Sequence, residues 1–470
     1  MFEIPMGNAD IEAIGEGAVG VLESVGLSFQ NAEILRSLEE WGARVDHARQ
    51  TATFPRPLVL EFVERIRVEA AARDASAERF LAPALPTVTG SVAQLVYDHD
   101  HQQARPGRRD DLVAAVNLGE ALHPAQPIGH AIVLTELPPL IEPLEAALVL
   151  AEYATIPEAP FAWDVRQIPY LEEMGHLLGL DRWYSLGAVC IAHPLRFDRN
   201  TADRYVHMMR HGLRPAGLTS MPVAGVSAPV TVEGFLVLTA AEFLGAWIAG
   251  RALNPDILLG GSMWTGTSDM KTGHVSYSAF DSMLYAIATV QFLRAWCGVS
   301  VSVGGGEYCA SRTPGLYAAL EKAYKAMTIA AFTGTHPTIG EGMLDCGKVF
   351  SAEQLMLDRE FGLGVQQFAR KIAPTKENLA LDALIEIGRG DGGSHITTDH
   401  TALRFRDSLW LPHFVSRTGW TGSEDETALM ERCRDEARRL AENACKPEGR
   451  ADALEAMRKV LKKAEEELVD

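Results

Sequence analysis

The sequence predicts an α/β fold, a TIM (β/α)8 barrel with an N-terminal helical and hairpin extension and C-terminal helices. Three observations carry that expectation. From about residue 86 onward, eight short apolar runs alternate with stretches of helical periodicity. No G-x-G-x-x-G follows the first run, so a dinucleotide-binding sheet lacks its phosphate turn. A long loop rich in Gly, Ser, Thr and Met follows Ile257–Leu259, and long loops at strand C-termini are where barrels keep their chemistry. The expected units are an extension over residues 1–85, a barrel over 86–420 and a helical segment over 421–470.

In the extension, Ile11, Ile14, Ala18, Val21, Leu22 and Val25 mark one helix face, stopped by Gly26. Asn31 caps a second helix that ends at Gly42. Ala43–Val45 and Thr51–Phe54 form a small hairpin, and a third helix follows Pro55 and Pro57. The barrel strands are expected at Thr87–Val92, Ile128–Leu134, Phe161–Val165, Tyr184–Ala192, Ala216–Met221, Ile257–Gly261, Val299–Gly304 and Ile329–Thr333. The helices between them fall near Arg109–Leu122, Pro143–Ala154, Ile168–Leu178, Asn200–His211, Val232–Ala252, Ala279–Trp296 and Gly315–Ala326. Beyond Ser423 an apolar stripe through Leu429, Cys433, Leu440, Leu454, Met457, Leu461 and Leu468 predicts charged, amphipathic helices.

Composition excludes several partners. With 43 basic against 62 acidic residues the 470-residue chain carries a net charge of -19, which argues against nucleic acid or an anionic membrane surface. The six cysteines include no C-x-x-C pair, as in a reduced protein, and the first residues lack a signal-peptide pattern. Leu236–Ala252 is the most apolar helical run, but Glu242 interrupts it. A cytoplasmic protein is expected. No H-E-x-x-H, G-x-S-x-G or Walker lysine is present, and a zinc site from Cys309, His336 and Cys346 is not expected.

The stretches with chemical character are few and ordered. They are Pro222–Gly225 with its following helix, the loop Asp269-Met270-Lys271-Thr272-Gly273, and the run G-T-H-P-T-I-G-E-G-M-L-D-C-G from Gly334. After these come S-A-E-Q-L-M-L-D-R-E (Ser351–Glu360), G-S-H-I-T-T-D-H-T-A-L-R-F-R (Gly393–Arg406) and Trp410-Leu411-Pro412. Together with Gly26-Leu27 and Gly42-Ala43-Arg44-Val45-Asp46 they span roughly the whole chain and resemble the trimethylamine methyltransferase family, with its D-M-R-T-G loop and H-T-x-x-x-F-R segment. Two stretches depart from that pattern. Ser276–Asp281 stands where the family shows G-x-P-E, and Glu307–Gly315 replaces T-D-S-K-x-x-D-x-Q.

The resemblance implies a TIM-barrel enzyme that moves a methyl group from an amine to the Co(I) corrinoid of a separate carrier protein. The chain consists of standard residues and so resembles the non-pyrrolysine branch, which implies a quaternary amine such as glycine betaine as donor. Another methylated amine, a sulfonium donor, or a non-catalytic betaine-binding barrel are the alternatives. Corrinoid is then a cosubstrate on its partner, no bound metal is expected, and a homo-oligomer is. A quaternary nitrogen leaves as a neutral amine, so cleavage needs alignment more than acid catalysis. A few aromatic rings suit the cation better than a dense carboxylate cage, which would favour the ground state. Tyr97, Trp163, Trp264 and Tyr308 are the candidate rings, each otherwise a core residue. Lys271, Arg312 and His336 are candidates for a substrate carboxylate, and His336 and Asp269 for the catalytic pair. Gly304, Gly305 and Gly306 would let a flat group approach the backbone, with Asp345 beside them on the corrinoid side. Asp269, Lys271, His336 and Asp345 are expected at one end of the barrel.

Overall fold

The computed structural model describes residues 2–72, 84–213, 216–335, 337–390 and 393–469. The architecture is mixed α/β, with long helices and several small sheets. The centre is a succession of parallel neighbours. The segment 88–93 lies beside 128–133, with Ala93 N–H bonding Ala131 O at 2.7 Å and Gly129 N–H bonding Val88 O at 3.0 Å. Ile128 then pairs with Pro157 and Phe161 with Ser185, both parallel. Val189–Cys190 runs parallel to Ala216–Ser220, which runs parallel to Leu259–Met263, which runs parallel to Ser302–Val303. The last neighbour is the segment 337–342, where Gly340 N–H reaches Gly306 O at 3.4 Å, and Thr89 Oγ donates to Glu341 at 2.7 Å from the first segment.

Helices follow these segments close to the expected places, at Arg109–Leu122, Glu142–Tyr153, Ile168–Leu177, Arg199–Arg210, Val232–Leu253, Phe280–Cys297, Leu316–Thr333 and Ala352–Gln366. One strand assignment is corrected. Ile329–Thr333 is the last turn of the helix Leu316–Thr333, which stops at Gly334 in the left-handed conformation. A short apolar run has no period of its own, so a buried helix turn and a buried strand look alike in sequence. The segment that reaches the connection after Ser302–Val303 is instead 337–342, through Gly340 N–H to Gly306 O.

The helix Val232–Leu253 is apolar and long enough to cross a membrane, but 78% of its most apolar window is buried inside the protein. Its central acid, Glu242, is fully buried and accepts from His193 Nδ1 at 2.9 Å and Leu195 N–H at 2.8 Å. Met221 N–H in turn donates to His193 Nε2 at 2.9 Å, which fixes a neutral imidazole protonated on Nδ1. This cluster ties together the connections after Val189–Cys190 and Ala216–Ser220.

The N-terminal helix Asn8–Ser24 packs on Val232–Leu253, with Gly17 against Val237 and Gly245 against Leu22 and Leu27. The hairpin Arg44–Asp46/Thr51–Thr53 is antiparallel as expected, and Leu27–Phe29 joins it to Arg196–Phe197. The C-terminal helix Ser423–Glu442 lies against Arg109–Leu122 and Ala352–Gln366. Its successor Ala451–Leu468 covers Glu142–Tyr153 and Ile168–Leu177.

Candidate active site

Two small sheets stand on the connections that leave the C-termini of the central strands. One joins Val223–Ala224, Gly266–Ser268 and Val275–Ser276; the other joins Leu95–Asp98, Gln103–Pro106, Met343–Leu344 and Val349–Phe350. Three aromatic rings meet between these sheets. Trp264 and Tyr308 lie edge to face at 4.8 Å between centroids, and Tyr277 meets Tyr308 at 6.0 Å and 85°. Trp264 Nε1 donates to Ser262 Oγ at 2.6 Å, which fixes the indole.

The glycines after Ser302–Val303 explain that approach. A Cβ on Gly304 would enter the indole of Trp264, and one on Gly305 would stand 2.8 Å from Lys325 Nζ. The flat group that Gly304 admits is thus a side chain of the same protein. Gly306 packs instead against Pro337 and Thr338 O.

Below the rings lies a set of ionisable side chains. Glu307 and Glu341 are half-buried, with protein on most sides of each. Burial raises the pKa of Glu307, and burial with the Glu307 charge beside it pushes Glu341 up to about 8. Lys325 on the helix Leu316–Thr333 is pulled down to about 8 by burial, against the attraction of Glu307. It makes no hydrogen bond or ion pair within 4.0 Å among the described residues, although it lies on the buried face of its helix. Glu158 is a further carboxylate of this group, accepting from Gly90 N–H at 3.1 Å.

Glu341 is held by a device built from buried charge. Lys322 and Asp358 form a fully buried ion pair at 2.7 Å, and Gln354 donates to the second Asp358 oxygen at 2.8 Å. The first oxygen also accepts Glu341 N–H at 3.2 Å and Gly342 N–H at 2.9 Å. Gly340, at φ 70°, is pressed so closely onto this carboxylate that a side chain would collide with it. The backbone bearing Glu341 is therefore clamped from the helix Ala352–Gln366.

The turn that follows is strained. Asp345 and Cys346 have φ of 45° and 56°, a left-handed pair without glycine, held by Asp345 N–H to Ser311 O and Cys346 N–H to Cys309 O. Gly347 then packs on the ring of Tyr308. Burial raises the thiol of Cys346, which neighbours Tyr277 and Tyr308.

The predicted site residues separate into groups. Trp264 and Tyr308 meet edge to face, with Gly304 packed on the indole and Gly305 beside Lys325. Arg312 and Asp345 come together at the rim, 3.7 Å apart, with Lys348 3.8 Å from the same carboxylate. Asp269 and Lys271 sit on the exposed tip of the hairpin Gly266–Ser268/Val275–Ser276. There Asp269 accepts from Lys271 N–H and Thr272 Oγ and closes its own turn. Tyr97 is buried with Cys309, Leu344 and Val349 and donates to Gln102 at 3.1 Å. Trp163 stands apart from the ring cluster. Its indole donates to Glu142 at 2.9 Å, and Glu142 also accepts from His130 at 2.8 Å. It lines a mostly apolar cavity of about 860 Å³ with Val92, Leu95, Arg108 and Leu137. His336 lies outside the described residues.

Tyr277, Glu307, Lys325 and Glu341 were not foreseen. Tyr277 and Glu307 fall in the two stretches that depart from the family pattern, so the departures themselves were the signal. No group of three or more His, Cys, Asp or Glu among the described residues is arranged to hold a metal ion.

Comparison with known proteins fixes the family, since the trimethylamine methyltransferase (MTTB) profile matches residues 3–469. The chain belongs to the trimethylamine methyltransferase family. A family member from Desulfitobacterium hafniense, a trimethylamine methyltransferase, is 23% identical over 97% of this chain and 93% of its own. The trimethylamine methyltransferase of Methanosarcina mazei is 26% identical over 59% of this chain and 55% of its own length. The glycine betaine methyltransferase of Desulfitobacterium hafniense is 24% identical over 48% of this chain and 46% of its own. With these last two relatives, the alignment spans about half of their length. All three are named methyltransferases.

Proposed function

We propose that this chain is a methyltransferase that takes a methyl group from a quaternary amine of the betaine type and passes it to a reduced corrinoid on a carrier protein. The carrier would dock over the mouth between the two small sheets. The succession of parallel neighbours supports a closed (β/α)8 barrel beneath that mouth, framed by the expected extension and C-terminal helices.

The observation that carries the reading is the pairing of the Trp264–Tyr277–Tyr308 rings with Lys325 and the carboxyl groups of Glu307 and Glu341. Ring faces attract a quaternary ammonium without hydrogen bonds, which that nitrogen cannot make. Lys325 offers a substrate carboxylate a charge-assisted partner at the other end. A zwitterion thus meets a pocket of complementary halves. Lys325 takes this role ahead of Arg312 and Lys271, which are exposed on loops. Asp345, beside Arg312 at the rim, remains the proposed contact on the corrinoid side. His336 remains a proposed contact to the substrate.

The test is direct. The purified chain, given cobalamin reduced to Co(I) and a panel of methylated compounds, should form methylcobalamin with quaternary amines bearing a carboxylate. Reaction with tertiary amines or sulfonium compounds alone would reassign the donor. Tight betaine binding with no transfer to free or carrier-bound corrinoid would mark a binding protein instead.

We also propose self-association through residues 371–408. Ile372, Ile396 and Leu403 there are 91%, 78% and 76% exposed, and no residue of its helices is buried. Sedimentation should show a species larger than the monomer, and deletion of 371–408 should dissociate it.

A further inference from the structure

The helix Leu316–Thr333 carries its charges on the inside. Glu321, Lys322 and Lys325 are buried, while Tyr317, Leu320 and Met327 are 66%, 58% and 57% exposed. A surface helix ordinarily turns its charged side chains to water. Here the solvent face, stepping through 317, 320, 324 and 327, carries no charge. Phe280 on the neighbouring helix Phe280–Cys297 extends that face. Its ring stacks on Tyr324 at 4.9 Å between centroids and is still 71% exposed, and Leu284 follows one turn on, also exposed. Apolar side chains grouped in this way mark a surface that another surface covers.

A second surface of the same chain has the same need. The excursion 371–408 begins just beyond Ala352–Gln366, the helix packed beside Leu316–Thr333. Its two ends are tied together, because the Arg370 guanidinium donates to Ser408 O at 3.1 Å and to Asp407 O. On its helix Leu381–Gly388, the side chains of Leu381, Leu384 and Ile385 form an exposed apolar stripe at i, i+3 and i+4. With five basic and six acidic residues this arm has a net charge of -1, against -19 for the whole chain, so it can approach an acidic copy with little repulsion. Its helices Leu381–Gly388 and Asp399–Ser408 are about 12 and 15 Å long, which end to end matches the roughly 27 Å of Leu316–Thr333.

We propose that the face formed by Phe280, Leu284, Tyr317, Leu320 and Met327 seats the arm 371–408 of a second copy, each copy giving one arm and receiving one. This rests on the reading of 371–408 as the segment of self-association, and it names the surface on which that segment docks. Pairing of arm with arm would leave the uncharged face bare, and pairing of face with face would leave the arm bare. Exchange of arms covers both at once, and it closes on a two-fold axis. With two aromatic rings and three long apolar side chains in each seat, a seat and its arm bury on the order of 1,000 Å² together, and two seats reach the size of a stable homodimer interface.

Sedimentation of two variants, alone and mixed, tests the exchange. The face variant, Leu320→Glu with Met327→Glu, changes exposed side chains and keeps the fold. It sets carboxylates against the arm and should raise the dissociation constant at least about a hundredfold. The arm variant, with 371–408 replaced by a short glycine linker, should also run as a monomer. Mixed at high concentration, the two should associate, because the face variant supplies an arm and the arm variant supplies a seat. Neither arm-with-arm nor face-with-face pairing can form in that mixture. A face variant that associates like the wild-type chain, or a mixture that stays monomeric, would overturn the proposal. If the face variant associates while the arm variant does not, self-association through 371–408 stands and its seat lies elsewhere. If the wild-type chain is itself a monomer, the self-association reading fails and this inference with it.

Discussion

The helix Ala352–Gln366 and the excursion over residues 371–408 are neighbours in the chain and opposites in the fold. The first buries Glu353, Gln354, Asp358 and Glu360 together with Leu355 and Leu357. The second leaves Ile372, Leu384, Ile385, Ile396 and Leu403 exposed and buries none of its described residues. Polar groups go inside where partners wait for them, as Lys322 does for Asp358 and the Phe414 N–H does for Glu360 at 2.8 Å. Apolar groups stay outside where no surface of the same chain reaches them. Residue type sets the cost of a position, and the availability of a partner sets whether that cost is met.

The largest effect should come from breaking the buried side of that contrast. Lys322→Met leaves Asp358 as an unpaired charge beneath Glu341 and should cost about 3–5 kcal/mol, read as a large drop in melting temperature. Replacing Asp358 by Leu as well should recover most of it. A double variant as unstable as the single one would show that packing at Lys322, and not its charge, matters.

The buried Lys325 should behave differently, because its partner is expected to be the ligand. Lys325→Met should weaken glycine betaine binding by about tenfold to a hundredfold, the worth of one charged hydrogen bond, and leave choline binding unchanged. Melting temperature should hold or rise, since a buried charge without a fixed partner is removed. Equal losses for betaine and choline would place the substrate carboxylate elsewhere.

Glu341 gives the pH arm of the comparison. Its folded pKa of about 8 lies above the 4.5 of an exposed glutamate, so between those values the native protein holds a proton that the unfolded chain releases. Its contribution is therefore present at acid pH and falls as pH rises through that window. Glu341→Gln should flatten the decline in chemical-denaturation stability across pH 5–8. An unchanged slope would assign the decline to other groups.

The smallest effect should come from the exposed side. Replacing 371–408 by a short glycine linker removes few intramolecular contacts. It should shift the stability of the dissociated chain by less than about 1 kcal/mol in pulse proteolysis. A loss of several kcal/mol would mean that the excursion folds back on its own core.

The sequence by itself determined where the helices lie. Caps and stops such as Asn31, Gly42, Gly298 and Ser351 act within a few residues, and a face of period 3.6 can be read locally. It also placed Trp264 and Tyr308 at strand ends, because alternating strands and helices deliver those positions to one mouth. Ile329–Thr333 escaped it, since four apolar residues and a threonine fit a helix turn as well as a strand. Lys322 and Lys325 are charges that share, with Glu321, the face through Ala318, Ala319, Ala326 and Ile329. Whether such charges snorkel to solvent or stay inside depends on what faces them. Only the tertiary structure decided that, by bringing Asp358 to Lys322 from 36 residues away and Glu307 within electrostatic reach of Lys325. Electrostatic partnership acts through space, and no local pattern encodes which distant carboxylate will arrive.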